Sequence, residues 1–77
     1  MVIAYVLVNT LPGKELEVNS ALSAIDGVVE VYTLFGEYDI IAKLEKKDYS
    51  EIEETVIRKI RTIHGILETK TLTGIKF

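Results

Sequence analysis

The chain has no cysteine and a single histidine among its 77 residues. Without cysteine no disulfide can brace the fold, and structural zinc sites, which draw on several Cys and His ligands, have nothing to be built from. No apolar run is long enough to span a bilayer. The opening MVIAYVLVNT is apolar for eight residues and lacks the basic flank and small-residue cleavage site of a secretory signal. These absences together point to a reducing, cytoplasmic setting. Basic residues are outnumbered, nine against twelve acidic, for a net charge of -3. That balance argues against direct nucleic-acid binding, which rests on clustered Lys and Arg. Arg58, Lys59 and Arg61 do cluster, but at the end of an expected helix, where cations complement the dipole.

Catalytic constellations are missing too. There is no Cys nucleophile, and Gly13-Lys14 alone does not make a phosphate loop. His64 falls just before a helix-stopping glycine, where an imidazole suits the helix C-terminus. Glu37 and Asp39 sit two apart on a turn, solvated rather than placed in the contrasting environments that split acid and base roles. The expectation is no catalytic residue, no metal and no cofactor. A chain of this length makes one domain, residues 1–77. It buries only roughly 60% of its unfolded surface. With disulfides and metals set aside, self-association is the expected support.

What is present is a repeat. AIDGVVEVYTLFG (Ala24 to Gly36) returns as TIHGILETKTLTG (Thr62 to Gly74) at an offset of 38 residues. The same offset aligns Val2-Ile3-Ala4 with Ile40-Ile41-Ala42, and Val18, Leu22 and Ile25 with Val56, Ile60 and Ile63. Each half reads as strand, helix, strand. Val2 to Asn9 is apolar and β-branched and ends at the turn signal Pro12-Gly13. A helix is expected from Lys14 to Ile25, with Val18, Leu22 and Ile25 in one stripe and Gly27 as its stop. Val28 to Phe35 is a strand, and Gly36-Glu37 a tight connection to a strand over Asp39 to Glu45. Asp48 with Glu51 opens a second helix carrying Ile52, Val56, Ile60 and Ile63, with a Glu54–Arg58 pair on its wet face. Gly65 stops it, and Ile66 to Thr73 is the last strand.

The order βαββαβ specifies an α+β, ferredoxin-like fold: a four-stranded antiparallel sheet with two helices on one face. The strands do not alternate cleanly between apolar and polar residues. In the first, Ile3, Tyr5 and Leu7 oppose Val2, Ala4, Val6 and Val8, and Ile41 adjoins Ile40. Helices can bury only one face, so Ile3, Tyr5, Leu7 and Ile41 are the expected interface of a dimer formed through the open sheet.

The stretch FGEYDII (Phe35 to Ile41) separates the two halves. Gly36 continues into Glu37-Tyr38-Asp39, whereas Gly74 is followed by Ile75-Lys76-Phe77. Asp39 is a poor strand residue at the mouth of a hairpin, and a turn needs only Gly or Asn chemistry. Glycine-turn amides, a tyrosine wall and a carboxylate suit a small zwitterion. Thr69, Thr71 and Thr73 recur with period two on the last strand. They are either ordinary strand threonines or hydroxyls that add hydrogen bonds to a ligand held between subunits.

At AYVLVNTLPGKE, IDGVVEVYTLFGEYDIIAKLE and IRTIHGILETKTLT the chain resembles the effector-binding (RAM) domain of the Lrp/AsnC transcription regulators. The run G-x-V-x-x-x-x-x-x-G-x-Y-D carries the likeness, which spans nearly the whole chain. The resemblance implies dimers joined through their sheets and assembled into larger rings, commonly octamers. It also implies a free amino acid as effector, bound between dimers near Gly36, Glu37, Tyr38 and Asp39, with Thr69 and Thr71 added from the hydroxyl face. Full-length members carry an N-terminal helix-turn-helix domain, whereas here the first strand follows Met1 at once. The chain therefore resembles a stand-alone module, with a full-length regulator as one implied partner. Two other readings stay open: an assembly module with a vestigial ligand site, and an enzyme like the small α+β barrel oxygenases. The latter need a deep polar pocket and a histidine on a strand.

Overall fold

Each half of the repeat folds as strand, helix, strand, in a computed structural model that describes residues 1–75. The elements are β1 (Val2–Thr10), α1 (Glu15–Ser23), β2 (Val28–Thr33), β3 (Ile40–Lys46), α2 (Tyr49–Thr55) and β4 (Ile66–Thr73). A π-helical turn, Val56–Ile60, extends α2. The sheet is antiparallel in the order β2-β3-β1-β4, so each half contributes one central and one edge strand. This is the ferredoxin-like arrangement. Among the described residues no helix is long and apolar enough to cross a membrane.

The core lies between the sheet and the helices. Ala4, Val6 and Val8 of β1 and Ile40, Ala42 and Leu44 of β3 are fully buried, against Val18 and Leu22 of α1 and Ile52, Val56 and Ile60 of α2. Each of the larger aliphatic side chains contributes about 1.5–3 kcal/mol by leaving water. The equivalent stripes of the two helices thus fill one core. Asp48 caps α2 as expected, its Oδ1 accepting the Glu51 amide at 2.9 Å. The Glu54–Arg58 pair is not among the ion pairs of the described residues.

Element ends differ slightly from the expected ones. The helix expected over Lys14 to Ile25 runs from Glu15 to Ser23. Its last turn tightens, with Ala24 and Ile25 donating to the carbonyls of Ala21 and Leu22, three residues back rather than four. β2 stops at Thr33 instead of Phe35. Beyond it the Leu34 amide donates to the Asp39 carbonyl at 2.8 Å, and Gly36 turns the chain at φ +120°.

One register feature decides which face the threonines occupy. Along β1–β4 the pairing passes from Asn9 with Glu68 to Thr10 with Ile66, leaving Leu67 unmatched. Along β2–β3 it passes from Val28 with Leu44 to Glu30 with Lys43, leaving Val29 unmatched. Val29 and Leu67 are again 38 residues apart, so the repeat extends to its β-bulges. Each extra residue swaps the face taken by the rest of its strand. Ile66 therefore faces the helices, and so do Thr69, Thr71 and Thr73, which pair with the buried Val8, Val6 and Ala4.

The open face carries Ile3, Tyr5, Leu7 and Ile41 on the central strands, as expected from parity. Glu30, Tyr32, Lys43, Glu45, Lys70 and Leu72 share it. Lys43 lies 4.0 Å from Glu30 and 3.9 Å from Glu45. An apolar centre rimmed by paired charges results.

Candidate functional site

The six residues expected to form one ligand site fall into two places. Gly36 and Glu37 are exposed in the β2–β3 turn, and Tyr38 and Asp39 are half-buried. Asp39 is tied to the sheet on both its backbone and its side chain. Its amide donates to the Val8 carbonyl at 2.9 Å, and its Oδ2 accepts the Thr10 amide at 2.8 Å and the Thr10 hydroxyl at 3.4 Å. Thr10 is itself buried. One carboxylate oxygen thus closes the end of β1, where the strand amide would otherwise lack a partner. Beside it opens a shallow cleft of about 500 Å³ lined by Asn9, Thr10, Asp39, Leu67 and Glu68. Asn9 Nδ2 donates to Glu68 Oε1 at 3.1 Å. With two carboxylates at one mouth, this end of the sheet suits an ammonium group.

Thr69 and Thr71 lie elsewhere, on the helix side of edge strand β4. A groove of about 350 Å³ runs there between α2 and β4, lined by Tyr49, Ile52, Glu53, Val56, Ile57, Arg61, Thr71 and Thr73. That volume falls within the range of small-molecule sites. Side-chain bonds bridge both ends of the groove. At one end the Tyr49 hydroxyl donates to the Gly74 carbonyl at 2.9 Å; at the other Arg61 Nε reaches Thr69 Oγ1 at 3.4 Å. Between them the Thr71 hydroxyl oxygen is buried and has no hydrogen-bond partner among the described residues. An orphan of that kind costs about 1–3 kcal/mol of desolvation.

The repeat explains why the groove is there. The first-half equivalent of Thr71 is Thr33, whose hydroxyl accepts a 3.4 Å bond from Asn19 of α1. The second-half equivalent of Asn19 is Ile57, which cannot donate. The π-helical turn, closed by the Arg61 amide on the Val56 carbonyl at 2.9 Å, adds a residue per turn just where α2 passes Thr71. Such turns are frequent at functional sites. Tyr49, Glu53, Ile57 and Arg61 do not stand out as ligand residues from the sequence, whereas Thr73 is singled out there with Thr69 and Thr71. Comparing the halves position by position exposes the Asn19-to-Ile57 change.

The Lrp/AsnC ligand binding domain matches residues 3–76. The chain belongs to the Lrp/AsnC family. It is 36% identical over 74 residues to an uncharacterized HTH-type transcriptional regulator of Pyrococcus furiosus, covering 92% of this chain and 49% of that protein. A homocitrate synthase of Sulfurisphaera tokodaii is 41% identical over 59 residues, 77% of this chain and 13% of the enzyme. The structure of AsnC from E. coli superimposes with a TM-score of 0.91 at 25% identity, covering 99% of this chain and 52% of AsnC. The chain spans about half the length of these regulators. A segment similar to it thus occurs both in transcription regulators and, as a small fraction, in a homocitrate synthase.

Proposed function

We propose that this chain is an amino-acid-binding, oligomerising regulatory module. It acts by binding and assembly rather than by catalysis. The observation that carries the reading is the α2–β4 groove of about 350 Å³, apolar along Ile52, Val56 and Ile57 and ended by the exposed Arg61. A guanidinium at the end of an aliphatic wall suits a small molecule that carries a carboxylate on an apolar body.

The turn Gly36 to Asp39 adds a second element. Asp39 is held by Thr10 with its other oxygen uncommitted, next to Glu68. Groove and cleft lie on opposite sides of β4, so one small molecule touching both must lie between copies of the chain. Binding and assembly are coupled in this reading. The sheet face with Ile3, Tyr5, Leu7 and Ile41 supplies the dimer contact, since its apolar centre and charged rim have the anatomy of an interface. Higher assembly, with an octamer as the expected size, then brings turns and grooves together, and full-length relatives are candidate partners.

The test is light-scattering mass of the protein with each of the twenty amino acids, with calorimetry on any that shifts it. The expected result is a shift in mass or heat with one or two of them. Arg61→Met, at an exposed position, should weaken it with the fold intact, and Leu7→Glu should lower the mass in every condition. An oligomer indifferent to every amino acid would instead make the chain a purely structural assembly module.

A further inference from the structure

The charges along the α2–β4 groove name a class of ligand. Tyr49, Ile52, Glu53, Val56, Ile57 and Arg61 form one stripe of α2 and its π-turn extension. Because the Tyr49 end meets Gly74 and the Arg61 end meets Thr69, α2 and β4 run antiparallel along the groove. Arg61 therefore stands beside Thr69. Glu53 stands two helical turns away, roughly 12 Å along the axis, toward Thr73. Between the two charges the wall is aliphatic, made by Ile52, Val56 and Ile57, with Thr71 opposite.

Each part has a chemical complement. Arg61 is exposed, its single contact to Thr69 is long, and its fork matches a carboxylate in a bidentate way. Glu53 is exposed and makes no ion pair with a described residue. It complements a cation at the far end. The aliphatic stretch between them fits methylene groups. A neutral aliphatic amino acid satisfies Arg61 but leaves Glu53 facing a methyl group. An acidic one places a second carboxylate against Glu53.

We infer that the groove takes a diamino monocarboxylic acid of lysine type, extended along α2 with its carboxylate on Arg61 and its side-chain ammonium on Glu53. This rests on the reading of the chain as an amino-acid-binding module. The α-ammonium is left for Asp39 presented by a neighbouring copy.

L-Norleucine has the lysine side chain without its terminal ammonium, so the pair isolates the role of Glu53. Calorimetry should show L-lysine binding about fivefold more tightly than L-norleucine, the scale of one exposed charge pair. L-Glutamate should not bind. In Glu53→Gln the preference for lysine over norleucine should vanish while norleucine affinity stays the same. In Arg61→Met both should weaken about tenfold or more. Both positions are exposed, and circular dichroism should show both variants folded. Norleucine binding as well as lysine, or a lysine preference that survives Glu53→Gln, would overturn the ligand class and leave the amino-acid reading standing. Failure of all twenty amino acids and norleucine to give heat would overturn both. Ile57→Asn supplies a further control. By replacing an aliphatic wall residue with a polar amide, it should weaken lysine binding in a folded protein, and unchanged binding would move the site out of the groove.

Discussion

The two halves of this chain are built alike and finished differently. Val18 and Leu22 of α1 and their equivalents Val56 and Ile60 of α2 are buried in one shared core. Bulges fall at equivalent residues, and the glutamates at positions 30 and 68 take the same face. Away from the core the halves part. Helix α1 packs closely on β2, where Asn19 meets Thr33, while α2 stands off β4 and leaves Thr71 without a partner. The difference teaches that core positions of a repeat are tied together by volume, whereas a polar pair at its margin can be dissolved in one copy alone. The dissolved pair is where a binding site can form.

The comparison can be broken at its strongest point first. Leu22→Ala and Ile60→Ala remove equivalent, fully buried side chains and should each cost about 2–5 kcal/mol in urea unfolding. A much smaller loss at Ile60 than at Leu22 would mean that the second half bears less of the core than its burial suggests. Next in size is Asp39→Ala. It strips the Thr10 amide of its acceptor and should cost about 1–3 kcal/mol. Asp39→Asn, which keeps an acceptor oxygen, should recover part of that loss. The smallest effect concerns the threonines. Thr71→Val removes an orphan and should leave stability unchanged or raise it by up to about 1 kcal/mol. Thr33→Val, which loses a long, exposed bond, should change it by less than about 0.5 kcal/mol in the other direction. Opposite signs at two equivalent positions would sharpen the contrast between the halves.

Much of the fold was legible because helix and strand periodicities act through the core. The stripes of both helices, the Asp48 cap and the whole of β4 were placed from apolar spacing and turn residues. The two-residue overshoot of β2 came from reading Leu34-Phe35 as strand, when Asp39 already closes the ladder at Leu34. The candidate site was legible only in pieces. Period-two spacing puts Thr69, Thr71 and Thr73 on one face, but the bulge at Leu67 decides which, and no local residue pattern announced it. Asp39 stood out as a misplaced strand residue. Its bond to Thr10, 29 residues away in sequence, depends on strand register, which only the assembled sheet provides.

The Thr71 hydroxyl also bears on how such a module can diversify. Because neither it nor the half-exposed Ile57 is needed to hold the sheet to the helices, lineages can exchange groove residues while the buried stripes stay under separate selection. Acceptance of a new effector need not wait for a compensating change in the core.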